Sequence, residues 1–268
     1  MGFFNHLFLK NRILNNNAFI WDSKKKTFKS IENVQTIEID LIIGVDRQKK
    51  TLLDNTKNFS IGNFTNNALL WGVRGNGKST LIKSIFSILS KKNKNLKLIQ
   101  LNKNDIFDIE EIYPLLGNFS NLRFIIFIDD LSFEKIDNEY KIIKSTLDGS
   151  IQNQPSNIVL YVTSNRRHLM PREMIENERS SAIHTDESVE EKISLSDRFG
   201  LWIGFHNLDQ NKYLEIIRSY CNYYKINYNE NIKSEAIEWS IQRGNRTGRS
   251  AWQFIIHLGA KNNLKLKF

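Results

Sequence analysis

The sequence predicts an α/β fold: a parallel sheet covered by helices on both faces, followed by a small helical lobe. Three observations predict it. Near-continuous apolar runs at 67–71, 96–101, 124–128, 158–162 and 201–205 are separated by helical segments, the pattern of strands buried on both faces. A glycine-rich loop, Gly72-Val73-Arg74-Gly75-Asn76-Gly77-Lys78-Ser79, follows the first run. From Asn207 onward the periodicity is helical only.

Along the chain, the stretch from Gly2-Phe3-Phe4 to Leu14 is apolar but broken by Asn5, His6, Lys10 and Arg12. That interruption does not suit a signal peptide, and no stretch reaches the roughly 18 uninterrupted apolar residues of a membrane helix, so a cytoplasmic protein with no membrane partner is expected. Residues 1–39 read as an extension. Leu41 to Asp46 leads into a polar helical segment ending near Phe59, and Asn67 to Trp71 forms the first core strand. Leu81, Ile82, Ile85, Phe86, Ile88 and Leu89 then recur at helical spacing, one face for the sheet. The lobe consists of helices near 209–225, 231–243 and 247–261, which gives a nucleotide-binding domain over 40–206 and a helical lid over 207–268.

The glycine loop fits G-x-x-x-x-G-K-[ST], and strand before with helix after is the context that makes this motif specific. Backbone N–H groups of the loop form an anion nest, Lys78 reaches the β/γ-phosphates, and the Ser79 hydroxyl can ligate Mg²⁺. Thr80 continues the loop into the helix, whose N-terminal dipole points at the phosphates. A nucleoside triphosphate is the expected ligand. Asp129 and Asp130 end the third strand, where four apolar residues followed by an acid form the second nucleotide signature. Asp129 is expected to hold Mg²⁺ through water, and Asp130 to polarise the attacking water. Asp130 is one methylene shorter than the glutamate usual there, and Glu134 in the following loop is its rival. Asn165, closing the fourth strand at its carboxyl end, is a candidate γ-phosphate or water sensor, or else a helix cap.

Composition narrows the classes. With 268 residues, 40% of them hydrophobic, the chain can bury one substantial core plus a smaller module. The single Cys221 excludes an internal disulfide and a cysteine zinc site and reads as a packed thiol. The five histidines show no paired spacing, so no metal beyond Mg²⁺ is indicated. A net charge of +9 is scattered along the chain, and the runs Lys24-Lys25-Lys26 and Lys91 to Lys97 read as solvated loops. Asn102-Lys103-Asn104-Asp105 mimics a guanine-reading motif but precedes Asp129, out of order for a GTPase, and reads as a polar turn.

The phosphate loop, the acidic strand end, Thr163-Ser164-Asn165, Asp197-Arg198-Phe199 before the last strand and an arginine-bearing helical lobe together resemble an AAA+ ATPase. Ser164-Asn165-Arg166-Arg167-His168-Leu169, Glu176-Asn177-Glu178-Arg179 and Leu195-Ser196-Asp197-Arg198-Phe199-Gly200-Leu201 are similar to an uncharacterised bacterial AAA+ family, over about residue 15 to the C-terminus. The resemblance implies a five-stranded parallel sheet in the order 5-1-4-3-2 and a lid closing over ATP. It also implies that Ile43 and Gly44 border the adenine, that Asn165 is the first sensor, and that Arg198 is an arginine finger for a neighbouring subunit in a homo-oligomer. Arg167 and Arg179 are rival fingers; a structural ion pair with Glu187, Glu190 or Glu191 is the alternative role for Arg198. The second sensor falls in Gly244 to Arg249, with Arg249 ahead of Arg246.

The sequence thus predicts a Mg²⁺-dependent ATPase that remodels or loads a protein or DNA client. A nucleotide-gated binding module with negligible turnover and a DNA-associated loader are the alternatives. Phosphate-binding motifs report the energy source, and the client is not among the things they encode.

Overall fold

The computed structural model of the protein describes residues 3–133, 138–148, 154–169 and 195–266. A helix, α1 (Phe3–Asn15), precedes a hairpin of β1 (Ala18–Asp22) and β2 (Thr27–Ser30). Then follow α2 (Asp46–Ser60), β3 (Ala68–Gly72), α3 (Lys78–Lys92), β4 (Leu96–Leu101), α4 (Ile109–Gly117), β5 (Arg123–Ile128), α5 (Asn138–Asp148), β6 (Ile158–Ser164) and β7 (Leu201–Phe205). The lobe comprises α6 (Gln210–Tyr223), α7 (Glu230–Gln242) and α8 (Gly248–Lys261).

Among the described residues the sheet has seven strands in the order β2-β1-β4-β5-β6-β3-β7, which corrects the expected count of five. The stretch from β4 to β7 is parallel throughout. The two additional strands come from the N-terminal segment: β1 pairs in parallel with β4, Phe19 opposite Ile99, and β2 returns antiparallel on the outside. Lys24, Lys25 and Lys26 form the turn of this hairpin. Lys26 is not simply solvated, because its Nζ donates to Asp108 at 2.5 Å and Glu111 at 3.1 Å. The hairpin is anchored by apolar burial, with Trp21 and Phe28 packed at 4.9 Å between ring centroids.

Alternation along the strands builds two separate cores. Phe124, Ile126 and Ile128 point to one face, with Tyr140 and Ile143 of α5 and Ile112 and Leu116 of α4. Ile125 and Phe127 point to the other, where Leu52 of α2 and Leu81, Ile82 and Ile85 of α3 cover them. A third core holds the lobe together, centred on Tyr213, Ile217, Phe254 and Ile255, and it contains the buried Cys221. Burial raises the Cys221 thiol to about 11, so it stays protonated and inert. The lobe helices start where side chains can cap them: Asp209 accepts from Lys212 N at 2.7 Å and Asn229 from Ile232 N at 3.0 Å. Thr247 and Ser250 form a reciprocal capping box at the start of α8.

Lys97 is the unexpected core residue. It lies on β4 with 1% of its surface exposed, because β1 covers the edge it would otherwise face. Its Nζ donates to Asn16 O at 2.7 Å and to Asn17 Oδ1 at 3.0 Å, tying down the end of α1. Burial and the nearby Lys94 push its ammonium down from 10.5 to about 8. The folded chain therefore releases this proton near pH 8, while the unfolded chain holds it to about 10.5. Between those values the unfolded state binds more protons, so this residue's contribution to stability rises with pH. In urea unfolding at pH 8 and pH 10, wild type is expected to gain stability relative to Lys97→Met at the higher pH. A pH-independent difference between the two would contradict the burial of the amine.

Candidate functional site

The site is built at the carboxyl ends of β3, β5 and β6. Residues 73–77 turn the chain from β3 into α3, and two glycines make the turn possible. Gly72, at φ 120°, lies so close to β7 that any Cβ there would collide with the Phe205 carbonyl. Gly77, at φ 88°, is the left-handed residue from which α3 starts. Val73 N donates to Phe205 O at 2.9 Å, so the loop is also bonded to the end of β7.

Lys78, only 7% exposed, donates through Nζ to Gly72 O at 2.8 Å, Val73 O at 2.9 Å and Asn165 Oδ1 at 3.0 Å. Burial pushes its ammonium down to about 8, with Arg249 adding repulsion while Asp130 and Asp129 oppose the shift. An incoming phosphate would supply the counter-charge that this buried cation lacks. Ser79 Oγ donates to Asp129 Oδ1 at 2.5 Å, and Thr163 Oγ1 donates to the same oxygen at 2.6 Å. Asp130 N donates to Thr163 Oγ1 at 2.9 Å, and Asn165 Nδ2 donates to Asp130 Oδ1 at 2.5 Å. Asp130 is held at φ 55°, the left-handed region that aspartate tolerates better than most residues. Thr163 thus fixes both acids, and Asn165 connects the lysine to the second acid.

Above this polar floor lies a cavity of about 470 Å³ between sheet and lobe. Arg74 through Thr80, Asp129, Asp130, Asn165 and Arg249 line its polar end. Ile42, Ile43, Leu208, Ile216, Tyr220 and Trp252 line its apolar end, the kind of surface a flat base could occupy. Gly44, at φ 80°, turns the chain beside Ile43 and packs near Leu208 and Lys212.

The structure therefore brings Lys78, Ser79, Asp129, Asp130 and Asn165 into one hydrogen-bonded set, with Arg249 facing the same cavity. Arg246 is instead turned to Gln210, its Nη2 donating at 3.4 Å to the side-chain oxygen. Arg198 is half-buried in the turn before β7, outside the residues that line the cavity. Arg167 stacks its guanidinium over Trp71 at 5.3 Å and Trp202 at 4.8 Å on its own chain. Glu134, Arg179, Glu187, Glu190 and Glu191 lie outside the described residues. The 102–105 segment opens a turn in which Asn102 Nδ2 donates to Asp105 at 3.0 Å.

Sequence reasoning missed Tyr220 and Trp252 and gave Thr163 no role of its own. Thr163 had a signal, a hydroxyl near the end of a buried, largely apolar strand. Tyr220 and Trp252 had none, since both read as core positions of the lobe helices until the fold turns them toward the cavity.

The residues present fit Mg²⁺. Ser79 and Asp129 offer adjacent hard oxygens at the phosphate loop, and Mg²⁺ is commonly held by one or two carboxylates plus substrate phosphates. Among the described residues no group of three or more His, Cys, Asp or Glu could hold a metal ion alone. No helix among them is long and apolar enough to cross a membrane.

A family model described as "Protein of unknown function (DUF815)" matches residues 14–262. No curated protein matches the chain. Among solved structures, Aeropyrum pernix Orc1 in complex with DNA is similar at 15% identity and a TM-score of 0.55, over 83% of this chain and 62% of that one. Domain III of the Thermotoga maritima replication initiation protein DnaA is similar at 13% identity and 0.52, over 84% and 88%. A point mutant of Thermotoga maritima RuvB is similar at 18% identity and 0.51, over 80% of this chain and 61% of that one. At these identities the likeness establishes a shared fold and nothing more. The chain spans about three fifths of the RuvB chain it matches.

Proposed function

Because the chain belongs to the DUF815 family of proteins of unknown function and carries an AAA+ fold, we propose that it binds ATP with Mg²⁺ and hydrolyses it to drive work on a macromolecular client. The observation that carries this reading is the convergence on one cavity of Lys78, the Ser79–Asp129 pair, Asn165 with Asp130, and Arg249 from the lobe. Lys78 and the loop N–H groups bind the β/γ-phosphates, and Ser79 and Asp129 hold Mg²⁺. Mg²⁺ held by these residues would supply counter-charge to the phosphates. Asp130, one hydrogen bond from Asn165, accepts the proton of the attacking water, and Asn165 orients that water against the γ-phosphate. Arg249, from α8, couples the phosphates to the position of the lobe, so that turnover moves the lobe as a lid against the sheet. Arg198 acts in trans in a homo-oligomer, which accords with its place outside its own subunit's cavity.

Asp130→Asn tests the assignment. The variant is expected to keep ATP affinity within about threefold and lose at least about two orders of magnitude in phosphate release, because a positioned general base is worth roughly 10²–10⁴ in rate. Normal turnover in Asp130→Asn would remove Asp130 from this role.

A second reading, a nucleotide-gated binding module with negligible turnover, is favoured by one feature: Asp130 is one methylene shorter than the glutamate usual at that place. Steady-state phosphate release separates the two. For the client, the charge of +9 and the likeness to an Orc1 structure bound to DNA favour nucleic acid. Retention on DNA that falls steeply with salt would support that client class.

A further inference from the structure

Asn76, inside the phosphate loop, is only 7% exposed, and its side chain does not turn toward solvent. Its amide is used at both ends. Nδ2 donates to His206 O at 2.7 Å, just beyond β7, and Oδ1 accepts from Gly248 N at 3.4 Å, in the first turn of α8. Beside it the loop backbone makes a second bond to the same turn, Gly75 O accepting from Arg249 N at 2.9 Å. The approach is close enough that a Cβ on Gly75 would stand 3.1 Å from Arg249 Cβ and 3.2 Å from Thr247 Oγ1. The loop and the start of α8 are therefore in direct contact, and the residue supplying the Arg249 side chain is bonded through its own backbone to that loop.

We infer that Asn76 is a positioning residue: a latch that seats the first turn of α8 on the phosphate loop and thereby places Arg249 over the cavity. An asparagine suits the position because it must donate to one carbonyl and accept from one N–H within the same side chain. Threonine, serine or alanine cannot span both. Any movement of the loop on phosphate binding is transmitted to the lobe through these bonds, as well as through the Arg249 guanidinium. The consequence for turnover rests on the nucleotide reading above, whereas the latch itself does not.

Two measurements separate them. Without nucleotide, amide hydrogen exchange in Asn76→Ala is expected to be about tenfold faster at Gly248 and Arg249, the loss of a buried hydrogen-bonding partner. Exchange of the core amides Phe254 to Leu258 of the same helix should stay within about twofold of wild type. Unchanged exchange at Gly248 and Arg249 overturns the latch. Should the alanine variant show no cooperative unfolding transition, Asn76→Asp serves: it keeps the shape but sets a carboxylate against the His206 carbonyl, and the same faster exchange at Arg249 is expected or the latch fails. In steady-state ATP turnover, Asn76→Ala is expected to lower kcat about five- to tenfold with KM within about twofold. A raised KM at unchanged kcat would make Asn76 a phosphate ligand only and overturn the coupling. If wild type neither binds nor turns over ATP while the exchange result holds, the latch stands and the nucleotide reading falls.

Discussion

Lys78→Ala is expected to weaken ATP binding by at least about two orders of magnitude while leaving the fold intact. The lysine is held by two loop carbonyls and Asn165, all neutral acceptors, at 2.8, 2.9 and 3.0 Å, so its charge is available to the phosphates. A charge-assisted contact to a phosphate in a partly buried site contributes about 1.5–3 kcal/mol, and the ammonium makes more than one. Truncation also removes a buried cation whose ionisation burial already disfavours, so the thermal midpoint without nucleotide should not fall by more than a few degrees. Asp129→Ala should differ in kind: weak binding remains but no longer responds to Mg²⁺, because the carboxylate touches the metal shell and not the phosphates. Calorimetric titration of ATP, with and without Mg²⁺, checks both. Equal ATP affinity in wild type and Lys78→Ala would end the phosphate-loop reading.

Arg198→Ala is expected to bind ATP as wild type does and to lose about 10³-fold or more in turnover, the value of an arginine supplied to the transferring phosphoryl. Its half-buried place before β7, outside its own subunit's cavity, is compatible with service to a neighbour. Complementation separates this from a structural role. A Lys78→Ala subunit keeps the finger and lacks nucleotide; an Arg198→Ala subunit holds nucleotide and lacks the finger. Mixed assemblies rebuild complete sites at some interfaces, so phosphate release plotted against mixing ratio should peak at intermediate ratios. Mixed oligomers by size exclusion with zero activity at every ratio would assign Arg198 to an intramolecular ion pair instead.

How far the site was legible depended on whether its residues are neighbours in sequence. The phosphate loop is contiguous and its chemistry demands glycines at fixed offsets, so Gly72 to Ser79 could be read directly; Asp129 is marked because it ends a run of buried apolar residues, and Asn165 because it closes a buried strand. The latch role of Asn76 carried no such mark: inside the motif it occupies a variable position, and its partners His206 and Gly248 lie 130 and 172 residues away. Arg246 and Arg249 illustrate the same limit at short range, since three residues along a helix start decide which guanidinium faces the cavity and which meets Gln210.

The sequence by itself determined the strands from β3 to β7, the helix after the glycine loop and the helices of the lobe, because apolar periodicity is a local signal of burial. It also carried the expectation of phosphate binding, through spacing that suits a strand-loop-helix. Only the tertiary structure decided that the N-terminal segment extends the sheet to seven strands. A four- or five-residue strand such as β1 is stabilised by the edge it finds, and that edge, β4, is some eighty residues away. The same pairing decided that Lys97 is buried. The cavity, likewise, exists only because the lobe docks on the phosphate loop, bringing Tyr220, Trp252 and Arg249 to a site whose other wall is encoded more than a hundred residues earlier.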